Sequence, residues 1–220
     1  SPAIAGGQVP ALLFPMISWF RNKTANTGVA WVDHYLGQDF SINKQSAIDD
    51  LNFVVLDCEM TGLDKKAELV SFGAVSVKAN QIEVKHTLDL KFNFGGNNAS
   101  AEIHGELAKS SIEDQQELIK SIITFIDNSI IVGHSISIDL SQLNKLFKAH
   151  HPKLKIKNKI LDTFDLMKRV DPMRFERSVA GQNSLRLDAI CAELQVPIEN
   201  RHTALGDAYM TAQVLLRLIS

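Results

Sequence analysis

The apolar positions of this chain change rhythm along its length. "FVVL" at residues 53–56 is an unbroken apolar run, which predicts a strand covered on both faces. "ELVSFGAVSVKAN" and "QIEVKHTLDLKFN" are rich in β-branched residues and predict two further strands, with "KAN" as the turn of a hairpin. "FGGNN" breaks the third strand. From Ser111 the spacing becomes helical: "SIEDQQELIKSIITFID" opens on a Ser-x-x-Asp capping pattern. "SIIVGHS" predicts a short buried strand and "DLSQLNKLFKAHH" the helix after it. "NKILDTFDLMKRV" reads as a fifth short strand running into a helix. "SLRLDAICAELQV" and "TALGDAYMTAQVLLRLI" read as the last two helices. Three strands in meander followed by alternating helix and strand indicate an α/β sandwich with a mixed sheet.

Ahead of this pattern, residues 1–50 read as an N-terminal extension, helical or partly disordered, preceding a domain over 51–220. Trp19, Trp31, Tyr35 and Phe40 predict short helices there, packed on the main body or on a partner. The apolar run at 11–20 follows no basic residue and is interrupted by Pro15. It is also too short to span a bilayer, so neither a signal peptide nor an anchor is expected and the location is read as cytoplasmic. Two cysteines, Cys58 and Cys191, read as free buried thiols of a reducing compartment.

Composition is globular, with 45% hydrophobic and 22% charged residues. A net charge of −2 gives no overall basic signal, so a nucleic-acid partner requires a local basic patch or bound metal ions. Lys145 to Lys159 carries six lysines and two histidines. Its default reading is a solvated helix end, and its functional reading is a track for a nucleic-acid backbone.

The chemistry begins where the first strand ends. In "FVVLDCEMTGLD", Asp57 and Glu59 stand two residues apart, hence on one face of a strand. Such a pair is unfavourable inside a protein unless positive charge sits between the two groups. Asp139 follows "VGHSISI", and His202 and Asp207 lie in "HTALGDA" at the start of the final helix. Ala204, Ala208 and Ala212 form a stripe of small side chains that lets this helix approach the sheet closely. His202 is expected on the loop before the helix, with Thr203 as its N-cap. Each residue alone has an ordinary structural explanation. As an ordered set of oxygen donors they suit Mg²⁺ or Mn²⁺ and not zinc.

Together these motifs resemble the DEDD 3′–5′ exonucleases, in the subgroup with a histidine in the last motif, and most of all the epsilon-type proofreading nucleases of bacterial DNA polymerase III. "VVLDCEMTGLD", "IVGHSISIDLSQL" and "RHTALGDAYMTAQVLL" are similar to the three family motifs in order, and "LDTFDLMKR" to a recurring Asp-Thr segment. The resemblance implies a ribonuclease-H-like fold: α/β, with a five-stranded mixed sheet flanked by helices. It further implies two Mg²⁺ or Mn²⁺ ions held by Asp57, Glu59, Asp139 and Asp207, with His202 as proton acceptor. By the same resemblance, Thr61, Gly62, Leu63, His104 and His134 contact the substrate end. The family's second motif often carries Asn and Phe where this chain has Ser135 and Ile138, and Glu106 replaces an apolar residue in "EIHGEL".

The expected function is therefore a 3′–5′ exonuclease acting on the 3′ end of single-stranded nucleic acid, DNA favoured over RNA. The alternatives are an RNA-directed exonuclease of the same family and a catalytically silent nucleic-acid-binding module. A polymerase partner, a homodimer and a stand-alone enzyme all remain open, and no membrane is expected.

Overall fold

The structure, a computed structural model, describes residues 26–43, 45–62, 67–92, 112–173 and 185–220, with the side chains of 112–114 excepted. Five strands form one sheet in the order β3-β2-β1-β4-β5. β1 (Asn52–Met60) pairs antiparallel with β2 (Leu69–Lys78), and β2 antiparallel with β3 (Gln81–Lys91). On its other side β1 runs parallel to β4 (Ile130–Gly133), which is parallel to β5 (Ile160–Asp162). This is the mixed five-stranded α/β sheet the motifs imply. β1 lies in the middle, which explains its unbroken apolar run: Phe53 to Leu56 are all buried.

The two faces of β1 feed two separate cores. Phe53 and Val55 pack with Val75, Val77 and Val132 under α4 (Thr163–Val170), α5 (Leu187–Glu193) and α6 (Ala204–Ile219). Val54, Leu56 and Cys58 face the other way, toward α1 (Ala30–Gly37), α2 (Ile112–Ile126) and α3 (Ser137–His150). The hairpin turn between β2 and β3 is the expected "KAN", with Ala79 at φ +47° and Asn80 at φ +58°. Two consecutive left-handed residues make the two-residue turn whose twist suits adjacent strands.

α1 belongs to the second core through Val32, Tyr35 and Leu36. The lysine-rich stretch helps to hold it there, more than a merely solvated helix end would. Lys157 Nζ donates to the Leu36 carbonyl at 3.4 Å and Lys153 Nζ to that of Asn26 at 2.8 Å. Tyr35 Oη donates to Asn158 at 2.6 Å, and Trp31 meets His151 edge to face.

Gly73 sets where α6 can lie. It stands opposite Asp57 in the β1–β2 register. A Cβ there would fall 2.1 Å from the Leu205 backbone nitrogen and 2.3 Å from the Ala204 carbonyl carbon. The start of α6 thus rests directly on strand backbone, with Ala204, Ala208 and Ala212 all buried. Replacing Gly73 by Ala pushes backbone against backbone, which side-chain rotation cannot relieve. We expect Gly73→Ala to cost at least about 1–3 kcal/mol, the range for overpacked sites, and to impair any chemistry that needs Asp207 beside Asp57. Chemical denaturation of the variant measures the first, and unchanged stability would contradict the close approach.

Candidate active site

Asp57 and Glu59 continue the face of β1 that carries Phe53 and Val55, so both project toward α6 just where the apolar core gives out. A register shift between Glu59 and Met60 ends the regular ladder with β2. Asp207 lies in the first turn of α6 and is buried. Carboxylate oxygens of Asp57, Glu59 and Asp207 all lie within 4.8 Å of one another. Asp139, buried in the first turn of α3, is reached from the other side of β1: its Oδ1 accepts from the Cys58 N–H at 3.0 Å. From there its charge acts on Asp57 more strongly than that of Asp207 or Glu59.

The electrostatics record this crowding. Burial first, then the charges of Asp139, Asp207 and Glu59, push the Asp57 carboxyl up to about 9. Burial likewise raises Asp139 to about 7, against the Cys58 hydrogen bond that lowers it. Asp207 is raised by burial, opposed by the Arg201 guanidinium. The direction is the same throughout: these groups hold protons more tightly than free carboxyls, and a cation in their midst would replace those protons.

His202 sits on the turn before α6, exposed, in the left-handed region at φ +64°. Thr203 is the N-cap, accepting from Gly206 N–H at 3.1 Å, as expected. The His202 backbone N–H donates to Asp207 Oδ1 at 3.3 Å, tying the turn to the carboxylate.

The expected "Asp-Thr" segment proves to be a brace. Asp162 accepts from the N–H groups of Ser135 at 2.9 Å, Ile136 at 3.1 Å and Phe164 at 2.9 Å, so one carboxylate caps α4 and also anchors the entry to α3. α3 accordingly starts at Ser137, two residues before Asp139, where the sequence pattern places its first residue. Thr163 Oγ1 donates to the Gly133 carbonyl at 3.1 Å and meets His134 Nδ1 at 3.0 Å. Burial lowers the pKa of His134, favouring the neutral ring.

An open cleft of about 420 Å³ runs from Asp57 and Asp207 to His134, Phe164 and Arg186. Of the expected substrate contacts, Thr61 and Gly62 are exposed at the end of β1, and His134 lines the cleft. Leu63 and His104 lie outside the described residues, as does Glu106. The sequence pattern gives no sign of Arg201, which pairs with Asp207 and with Asp188 in α5 and also lines the cleft. Its hydrogen bond holds the Asp188 carboxyl below the usual range. The available hint is only its place immediately before His202. Both cysteines are free and buried, as expected. No helix among the described residues is long and apolar enough to cross a membrane.

The chain is similar to known proteins over most of its length. The PolC-type DNA polymerase III of Thermotoga petrophila is 32% identical over 216 residues, covering 92% of this chain and 15% of the relative. This chain therefore spans about one seventh of the length of that polymerase. DNA polymerase III subunit epsilon of Aquifex aeolicus is 26% identical over 183 residues, covering 81% of this chain and 86% of the relative. Among solved structures, E. coli exonuclease I in complex with a dT13 oligonucleotide shares the fold, with a TM-score of 0.58 at 16% identity over 76% of this chain and 40% of that one. The model of the exonuclease family, RNase T, matches residues 54–215, a span that includes Asp57, Glu59, Asp139, His202 and Asp207. This chain belongs to the exonuclease family.

Proposed function

We propose that this exonuclease removes nucleotides from the 3′ end of single-stranded DNA, using two Mg²⁺ or Mn²⁺ ions held by Asp57, Glu59 and Asp207 with Asp139 beside them. The observation that carries the reading is the convergence of three carboxylates within 4.8 Å, two of which, Asp57 and Asp207, line an open cleft. The donor set fits the ions: it is all oxygen and carboxylate, and burial, with the neighbouring acids, raises the proton affinity of Asp57, as burial does that of Asp207. Held by these residues, two divalent ions would supply the positive charge that phosphodiester hydrolysis needs at its attacking and leaving oxygens.

The chain's own residues do the rest. His202, on a turn fixed to Asp207 but outside the carboxylate trio, accepts the proton of the attacking water. Asp57, whose carboxyl feels the charges of Asp139, Asp207 and Glu59, would be the ligand shared by both ions, and Asp139 is held beside it by the Cys58 N–H. Thr61, Gly62 and His134 border the terminal nucleotide. DNA is favoured over RNA by the likeness to polymerase III relatives. The same likeness supports a polymerase as partner and the cytoplasm as location.

Incubated with Mg²⁺, a 5′-labelled single-stranded DNA should yield a ladder shortening one nucleotide at a time, and a 3′ phosphate should block it. First products cut in mid-chain would refute the polarity. RNA degraded faster than DNA would reverse the substrate preference.

His202→Ala should lower kcat by about 10²–10⁴, the usual contribution of a positioned proton acceptor, while calorimetric Mg²⁺ affinity changes little. Raising the pH should restore part of the rate, since hydroxide then needs no base. A variant that loses its metal, or keeps full rate at neutral pH, removes His202 from this role.

Asp57→Asn should abolish turnover and yet leave the metal-free fold as stable or slightly more so. The folded carboxyl, raised to about 9, keeps a proton that the unfolded chain releases above about pH 4. Stability in EDTA should therefore be highest at the acid end of that window and fall as pH rises toward 9, with a shallower fall in Asp57→Asn. Thermal melting between pH 5 and 8 measures both slopes. Equal slopes would contradict the crowding of charge at Asp57.

A further inference from the structure

We propose that Arg201 is a displaceable counter-ion of the carboxylate site: its guanidinium holds Asp207 while metal is absent and yields it to an incoming divalent cation, remaining tethered to Asp188. The proposal rests on reading Asp57, Glu59 and Asp207 as the cation site, and it assigns Arg201 a positioning role there.

The geometry points to an exchange. Arg201 Nη1 pairs with Asp207 Oδ2 and its Nε with Asp188 Oδ1. Asp207 Oδ1 accepts the His202 N–H. Both oxygens of a carboxylate in the trio are therefore engaged within the protein, one of them by a full positive charge. A divalent ion and a guanidinium cannot both occupy that side of Asp207 without strong repulsion. The two ends of the clamp differ in environment. The Asp207 side chain is 6% exposed and lies inside the cluster, whereas that of Asp188 is 45% exposed and lies at the start of α5, outside it. If Nη1 lets go, Nε keeps the side chain in place at the edge of the cleft that Arg201 already lines. Two separate nitrogens on a rigid fork make this division possible, and a lysine ammonium cannot divide itself in the same way.

The opposing reading is a plain staple between α5 and α6. The two readings predict opposite signs. Removing a staple loosens Asp207 and weakens metal binding, whereas removing a competitor strengthens it.

The test is calorimetric titration of Mg²⁺, and separately of Mn²⁺, into the wild type, Arg201→Gln and Arg201→Lys, with thermal melting of each protein in EDTA. Arg201→Gln should bind metal about tenfold more tightly, within the range usual for coupled ligands. It should also melt at a lower temperature in EDTA and regain more stability from metal than the wild type does. Arg201→Lys, which keeps the charge and protects the fold, should fall between the two in affinity. Unchanged or weaker affinity in both variants, with the wild type binding normally, would overturn the inference alone. A wild type that takes up neither metal would overturn the cation-site reading, and the inference with it.

Discussion

Mutual repulsion among carboxylates is the constraint on which this structure turns. Three acid groups within 4.8 Å repel one another by an amount on the order of a few kcal/mol per pair at an effective dielectric near 20. Nothing in a strand or helix favours that arrangement, so the scaffold must impose it. It does so with rigid parts: a central strand covered on both faces, a helix laid against bare backbone at Gly73, and a capping carboxylate, Asp162, that fixes the start of α3. The elements meet at the end of β1, where core gives way to cleft. A pair of negative charges after "FVVL" is thus no accident of a strand reaching water. It belongs to the carboxylate cluster that we propose as the cation site, where Asp57 and Asp207 are raised toward protonation and the Arg201 guanidinium pairs with Asp207.

That positive charge separates two kinds of stability. Within the protein the acids are offset by a raised proton affinity at Asp57 and Asp139 and by the Arg201 guanidinium on Asp207. Divalent ions bound there would do the same work more completely and would bring positive charge to a phosphodiester. If the proposed exchange holds, folding and function compete for the same carboxylates, at the first turn of α6 and the turn before it.

Much of this was legible in the sequence, for physical reasons that differ from residue to residue. The apolar run at Phe53 to Leu56 announces a central strand because only such a strand is covered on both faces. Asp57 and Glu59 follow from its two-residue period, and the alanine stripe at 204, 208 and 212 announces the close helix. His202 and Thr203 could be placed because a helical His202 would face away from Asp207. The start of α3 could not be placed to the residue, since the group that anchors it, Asp162, arrives from a strand more than twenty residues downstream. Arg201 was invisible for a similar reason. Its anchor Asp188 belongs to another helix, and a basic residue beside a histidine reads as surface until the fold brings both acids to it.

The central claim is that Asp57, Glu59 and Asp207 converge on divalent ions. Diffraction from crystals of the protein soaked with Mn²⁺, recorded to detect the metal's anomalous signal, tests it most directly. Two peaks about 3.5–4 Å apart, both within coordination distance of Asp57 and flanked by Glu59 and Asp207, are the predicted result. Manganese bound elsewhere, or no peak among these three carboxylates, would contradict it.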